Sequence, residues 1–147
     1  MKKTVLLACM FIIGLAFMAY SAAPTYIGAE KCKMCHIQDF KVWEASKHAK
    51  AFNSLKPEEQ KQEKCLKCHG TGPEAKLKGV QCEACHGPGS EYKAIPIMKD
   101  RTKAVGAGLI IPNEESCKKC HNPESPTFKG FDFKKDWEKI KHGKKKK

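Results

Sequence analysis

A chain of 147 residues with 28 lysines and arginines against 16 acids carries a formal charge of +12, and 41% of its residues are apolar. Part of that apolar content sits in one N-terminal run and aromatics amount to 8%, so the rest is too poor in core-forming side chains for an ordinary core of this size. The length allows one domain or at most two very small ones, and a large protein-only core, a multi-pass membrane protein and a dinucleotide-binding α/β enzyme all fit poorly.

Met1-Lys2-Lys3-Thr4 is a short basic start, Val5 to Met18 is almost wholly apolar, and Ser21-Ala22-Ala23 is a run of small residues. That order is the one of a secretory signal peptide, and the apolar run falls short of the roughly 20 residues that span a bilayer. Residues 1–22 are therefore expected to be removed, leaving a domain over 23–147; an uncleaved anchor is the alternative. Cleavage takes away two lysines, no acids and Cys9, so the mature chain keeps a charge of +10 and eight cysteines.

Residues 24 to 31 read as an extended lead-in to Cys32-Lys-Met-Cys35-His36. Ile37, Ala45, His48, Phe52 and Leu55 share one face at helical spacing, which predicts an amphipathic helix from 37 to 55 carrying His48. Pro57-Glu58-Glu59 predicts the start of a second helix, with proline in its first turn and acids at its positive end. That helix bears Cys65-Leu-Lys-Cys68-His69. Residues 70 to 81 read as a loop before Cys82-Glu-Ala-Cys85-His86, and Gly87-Pro88-Gly89-Ser90 demands a sharp turn. Residues 97 to 107 look helical. Asn113 is a candidate cap for a helix bearing Cys117-Lys-Lys-Cys120-His121, with Glu114 and Glu115 in its first turn. After a proline-broken loop, Asp132 is a candidate cap for a last helix with Phe133, Trp137 and Ile140 in a stripe and His142 at its end, outside that stripe. No strand of convincing alternation is present, and residues 143–147 form a basic tail.

The eight mature cysteines thus form four C-x-x-C pairs, each followed by histidine, although the chain holds only 6 histidines. This is the haem-attachment pattern. Two thiols add across the vinyl groups of one porphyrin, and the adjacent histidine binds its iron from one face. Zinc sites use paired cysteines but do not need a histidine after every pair, and a disulfide framework leaves the histidines unexplained. Four covalent c-type haems follow, about one per 30 residues, so that porphyrin takes the place of a side-chain core. The expected fold class is mainly α: a small multihaem cytochrome c of short helices and loops wrapped around four haems.

His36, His69, His86 and His121 supply the proximal ligands. For the opposite faces the chain offers His48, His142 and Met98; Met34 lies inside the first motif and is badly placed to cross its own haem. Three distal candidates face four irons. Either one iron is five-coordinate, or a ligand comes from another chain or from a weaker donor.

Several stretches carry a family likeness. Tyr26-Ile-Gly-Ala-Glu-Lys-Cys32 leads into the first motif, Trp43 and Ser46-Lys-His48-Ala-Lys-Ala follow it, and Gly79-Val-Gln-Cys82-Glu-Ala-Cys85-His86-Gly-Pro-Gly89 surrounds the third. Over nearly the whole mature chain this resembles the tetrahaem cytochrome c-554 family of periplasmic electron carriers. The resemblance implies a mainly helical fold around haems stacked in close pairs, a distal ligand at His48, and a five-coordinate haem at His69. The chain departs from that pattern after the third motif, where such relatives place a distal histidine and Met98 is the nearest candidate here.

The expected function is electron relay between redox partners in the periplasm, without a catalytic site. Four ferric haems with their propionates bring the mature charge to roughly +6, which can steer encounters with acidic partner proteins. Export removes nucleic acid as a partner. The alternatives are an enzyme acting on a small nitrogen or oxygen species at the open haem, and a subunit of an extracellular haem filament.

Overall fold

The structure is a computed structural model, and it describes residues 22–143. The signal segment, apart from Ala22, and the tail beyond Gly143 lie outside the described residues.

The described chain is built of short helices joined by turns. In order they are α1 (Ala29–Lys33), α2 (Ile37–Glu44), α3 (Glu63–His69), α4 (Cys82–His86), α5 (Ile95–Met98), α6 (Arg101–Gly106), α7 (Glu114–Lys118) and α8 (Phe133–Trp137). Single 3-10 turns occupy Phe52–Ser54, Glu59–Lys61 and Pro73–Ala75. The expected mainly helical class holds. No helix among the described residues is long and apolar enough to cross a membrane.

Several expected helices are shorter than their apolar periodicity suggests. The helix over 37–55 stops at Glu44. Ser46 turns its hydroxyl back on the Trp43 carbonyl at 2.6 Å, and from there to Leu55 the backbone bonds are mostly of the i to i+3 kind. His48 consequently sits on a turn and not on a helix. The second helix begins at Glu63 and not at Pro57, because Gln62 is extended and separates it from the preceding 3-10 turn. The helix over 97–107 is two helices, broken where Asp100 leaves helical geometry to accept from Lys103 N. The last helix ends at Trp137, so Ile140 and His142 lie beyond it. Both local caps form as their side chains dictate: Asn113 makes a reciprocal capping box with Ser116, and Asp132 accepts from Lys135 N.

The loop over 70–81 contains a feature the sequence did not signal. Gly70–Thr71 (β1) pairs antiparallel with Leu77–Lys78 (β2), Gly70 opposite Lys78 and Thr71 opposite Leu77. Two residues per strand leave no alternation to read. Thr71 is buried and locks the ladder, donating from Oγ1 to Gly79 O and accepting from Gln81 N, both at 2.8 Å.

Among the described residues, the buried hydrophobic side chains are Ala29, Phe40, Tyr92 and Ala104. Four such residues cannot hold a domain of this length together. The principal polar anchor is Glu83, 2% exposed, inside the third motif. Its carboxylate accepts from the backbone N–H groups of Ile27, Gly28 and Gly89, at 2.6 to 3.0 Å. It thereby fastens the lead-in to the turn after the third motif. Gly89 is required there, because a Cβ would lie 2.9 Å from Ile27 Cδ1 and 3.1 Å from Glu83 Oε1.

Candidate haem-binding sites

Each motif sits at a helix. The first straddles α1 and the N-cap of α2, the second ends α3, the third is α4 itself, and the fourth runs off the end of α7. Tertiary packing brings them together in pairs. The helix of the first motif packs against that of the third, and the second and fourth meet where the Cys120 thiol approaches Lys67 O at 4.0 Å and Lys67 reaches Glu124. The Cys82 thiol and burial push Cys32 well above the ordinary thiol range, and Cys82 is correspondingly lowered. Burial, then the Cys68 thiol, pushes Cys120 up to about 12. All eight described cysteines are free, so every pair remains available for thioether formation.

The outer ring nitrogens show how each histidine is held. His69 Nδ1 donates to Ala51 O at 2.7 Å, and His86 Nδ1 to Ile110 O at 3.1 Å. His36 Nδ1 donates to the Asp39 carboxylate at 3.2 Å, and His142 Nδ1 to Ile140 O at 2.9 Å. Carbonyl and carboxylate oxygens only accept, so these partners fix the hydrogen on Nδ1 and leave the Nε2 lone pair for a metal. His121 is held differently: its ring stacks on Phe131, 5.0 Å between centres and 16° between planes.

Two of the distal candidates face motif histidines. His48 lies 6.0 Å from His121 and His142 lies 5.8 Å from His86, ring centre to ring centre. Two imidazoles on opposite faces of one iron, each nitrogen about 2.0 Å from the metal and about 1.1 Å from its ring centre, stand about 6 Å apart. Both ring planes then contain the same axis, so the angles of 58° and 66° between them are compatible with that arrangement. Burial, aided by His121, lowers the pKa of His48; burial, aided by His142 and outweighing the bond to Ile110, lowers that of His86. Both rings are thereby kept neutral, the form a metal binds.

The backbone explains why His48 stands where it does. Its carbonyl accepts from Val80 N at 3.1 Å, and the Trp43 indole donates to Val80 O at 2.7 Å. The turn bearing His48 is thus fastened to the segment leading into the third motif. Met98, by contrast, is half-buried at the end of α5, whose packing is against α6.

Apolar side chains left exposed by the polypeptide cluster beside the motifs. Met34 is 78% exposed inside the first, Ile37 follows it, and Ile110 carries the carbonyl that holds His86. An apolar macrocycle attached at the thiols is what such side chains would pack against. Thiol pairs, neutral imidazoles with free Nε2 atoms, opposed rings at about 6 Å and uncovered apolar side chains together fit haem.

Known proteins agree with that chemistry. A sequence model of the family described as Cytochrome c554 and c-prime matches residues 31–87, which hold the first three motifs. The solved structure of the reduced state of cytochrome c554 from Nitrosomonas europaea is similar, at 26% identity and a TM-score of 0.56, over 80% of this chain and 79% of that one. In sequence and in fold the chain is similar to cytochrome c554. That likeness supports a c-type cytochrome that carries electrons on covalently bound haem. No curated protein sequence matches it significantly.

The sequence pointed to every cysteine and histidine of these sites but not to the residues that position them. Asp39, Glu83 and Tyr92 carry no role in the sequence reading, and Trp43 enters it only through the family likeness. Glu83, an acid between the two thiols of a motif, was the visible signal. Tyr92 donates to Gly87 O at 2.7 Å and His86 O at 3.1 Å, which fixes the turn just after the third motif.

Proposed function

We propose that the protein is a c-type cytochrome that carries four haems, one on each motif, and relays electrons between redox partner proteins outside the cytoplasm. Cys32 and Cys35, Cys65 and Cys68, Cys82 and Cys85, and Cys117 and Cys120 would hold the four porphyrins. His36, His69, His86 and His121 would be the proximal ligands. Each haem supplies a one-electron ferric/ferrous couple.

The observation that carries this reading is the pair of opposed imidazoles, His48 with His121 and His142 with His86. It supports distal ligation of the fourth site by His48 and of the third by His142. Met98 remains the distal candidate for the first site, which leaves His69 with an open face. Ligand differences of this kind spread potentials, since a thioether raises them relative to paired imidazoles. Such a spread suits a relay. The pairing of the first motif with the third, and of the second with the fourth, would keep the haems close together, as exchange without a substrate pocket needs.

Residues 1–22 would direct export and be removed, leaving a periplasmic domain over 23–147 with its basic tail. The residual positive charge favours acidic contacts on partner proteins. We place no catalytic step at the open site: a carrier needs neither proton delivery nor product release there.

Mass spectrometry of the purified protein together with electron paramagnetic resonance of its oxidised form tests the reading. The expected result is loss of about 21 to 23 residues, gain of four haems, and one high-spin centre among four. Two haems, or bound zinc, would refute it.

A further inference from the structure

Asp39 lies in the first turn of α2, three residues after His36, and its two carboxylate oxygens go to different parts of the molecule. Oδ2 accepts from His36 Nδ1 at 3.2 Å. Oδ1 accepts from the backbone N–H of Gly143 at 2.9 Å, 104 residues away in sequence. Gly143 follows His142, whose ring faces His86. We propose that Asp39 is a positioning residue for two haem sites at once, tuning the first through His36 and holding the distal ligand of the third through Gly143. The proposal rests on the four-haem reading above.

The first half of the argument compares partners. His69 and His86 give their outer N–H to neutral backbone carbonyls, whereas His36 gives its own to a carboxylate. A charged acceptor makes the stronger hydrogen bond and raises the basicity of the imidazole. A more basic ligand stabilises ferric iron, so the first site should be lower in potential than its ligand types alone would set it. The Asp39 side chain is only 30% exposed, so solvent does not fully screen this effect.

The second half concerns the chain end. Among the described residues, the hydrogen bonds from 138 to 143 reach back only to Asp136 and Trp137, except that from Gly143 to Asp39. A terminal segment without such an attachment frays. His142 would then lose its place opposite His86. Asp39 therefore links the proximal side of one site to the distal side of another.

Two variants of the haem-loaded protein separate the roles. Asp39→Asn removes the charge facing His36 while keeping an oxygen able to accept from Gly143 N. It should leave four haems and the spin states intact and raise one of four reduction midpoints, by about tenfold in equilibrium constant or about 59 mV for one electron. Asp39→Ala removes both contacts. It should raise the same midpoint and also convert one low-spin haem to high-spin, with one additional carbon monoxide-binding haem. Should the alanine variant fail to mature, the asparagine variant alone decides: no midpoint moved, or all four moved equally, overturns the proposal. His142→Ala serves as the control. If it leaves the spin states unchanged, or if the wild type holds fewer than four haems, the underlying reading fails and the proposal with it. Silent Asp39 variants beside a responsive His142→Ala overturn Asp39 alone.

Discussion

Replacing Glu83 should cost more stability than any other single surface-distant change, and the reason can be worked from its contacts. Three backbone N–H groups, of Ile27, Gly28 and Gly89, end on its two oxygens. The side chain is almost fully buried, so water does not replace the lost acceptor at once. An orphaned buried donor costs about 1–3 kcal/mol. Three donors, discounted for partial rearrangement, give about 3–5 kcal/mol for Glu83→Ala. Glu83→Gln keeps the shape but turns one acceptor into a donor aimed at backbone donors, and should cost about 2–3 kcal/mol. Denaturant unfolding of the haem-loaded variants, followed by far-UV circular dichroism, measures this directly. Haem content should stay unchanged because Cys82 and Cys85 remain. Either variant unfolding within about 0.5 kcal/mol of wild type would refute the assignment of Glu83 as the anchor of the lead-in.

Other outcomes follow from the site geometry. His48→Ala should turn one low-spin haem high-spin at constant haem count; an unchanged resonance spectrum would make His48 a packing residue. The reduced protein should bind about one carbon monoxide per four haems, with no sustained turnover of nitrite, hydroxylamine or peroxide at typical enzymatic rates of roughly 1 to 1000 per second. Acid should act through His48 and His86, whose pKa values burial holds below the ordinary 6.5. The unfolded chain takes up protons at these positions that the fold does not, so their contribution is present above 6.5 and lost as pH falls through the lower folded values. In the haem-loaded protein a proton must in addition displace iron from Nε2, which lowers the midpoint further, so an optical titration should show the low-spin bands constant down to pH 6.5 and failing only below it; loss above 6.5 would contradict the argument.

What could be read from the sequence was what is encoded locally. C-x-x-C-H carries its own geometry, and Asn113 and Asp132 cap helices because their side chains reach N–H groups three residues on. Helix lengths were misread because apolar periodicity persists where the backbone does not. Ile37 to Leu55 keeps the spacing, yet Ser46 bends the chain and an indole from Trp43 takes a partner 37 residues away. The distal face of the third site was only half legible. His142 was a candidate by count, but its placement opposite His86 depends on contacts across the whole chain, and no local pattern reports a bond between Asp39 and Gly143.

A motif repeated four times suggests four equal sites, and the surroundings of the histidines argue otherwise. His36 leans on a carboxylate, His69 and His86 on carbonyls at 2.7 and 3.1 Å, and His121 on the face of Phe131. Only two of the four face a second imidazole. Because potential depends on ligand identity and on hydrogen bonding to the ligand, identical attachment can yield four different couples. The covalent chemistry would fix where the haems are held, whereas the gradient along which electrons would pass would be set by residues outside the motifs: Ala51, Ile110, Asp39, His48, Phe131 and His142. Exchanging the contacts of two sites, for example by removing the Asp39 charge, should therefore reorder the midpoints without changing the number of haems, which a redox titration of the four steps can read.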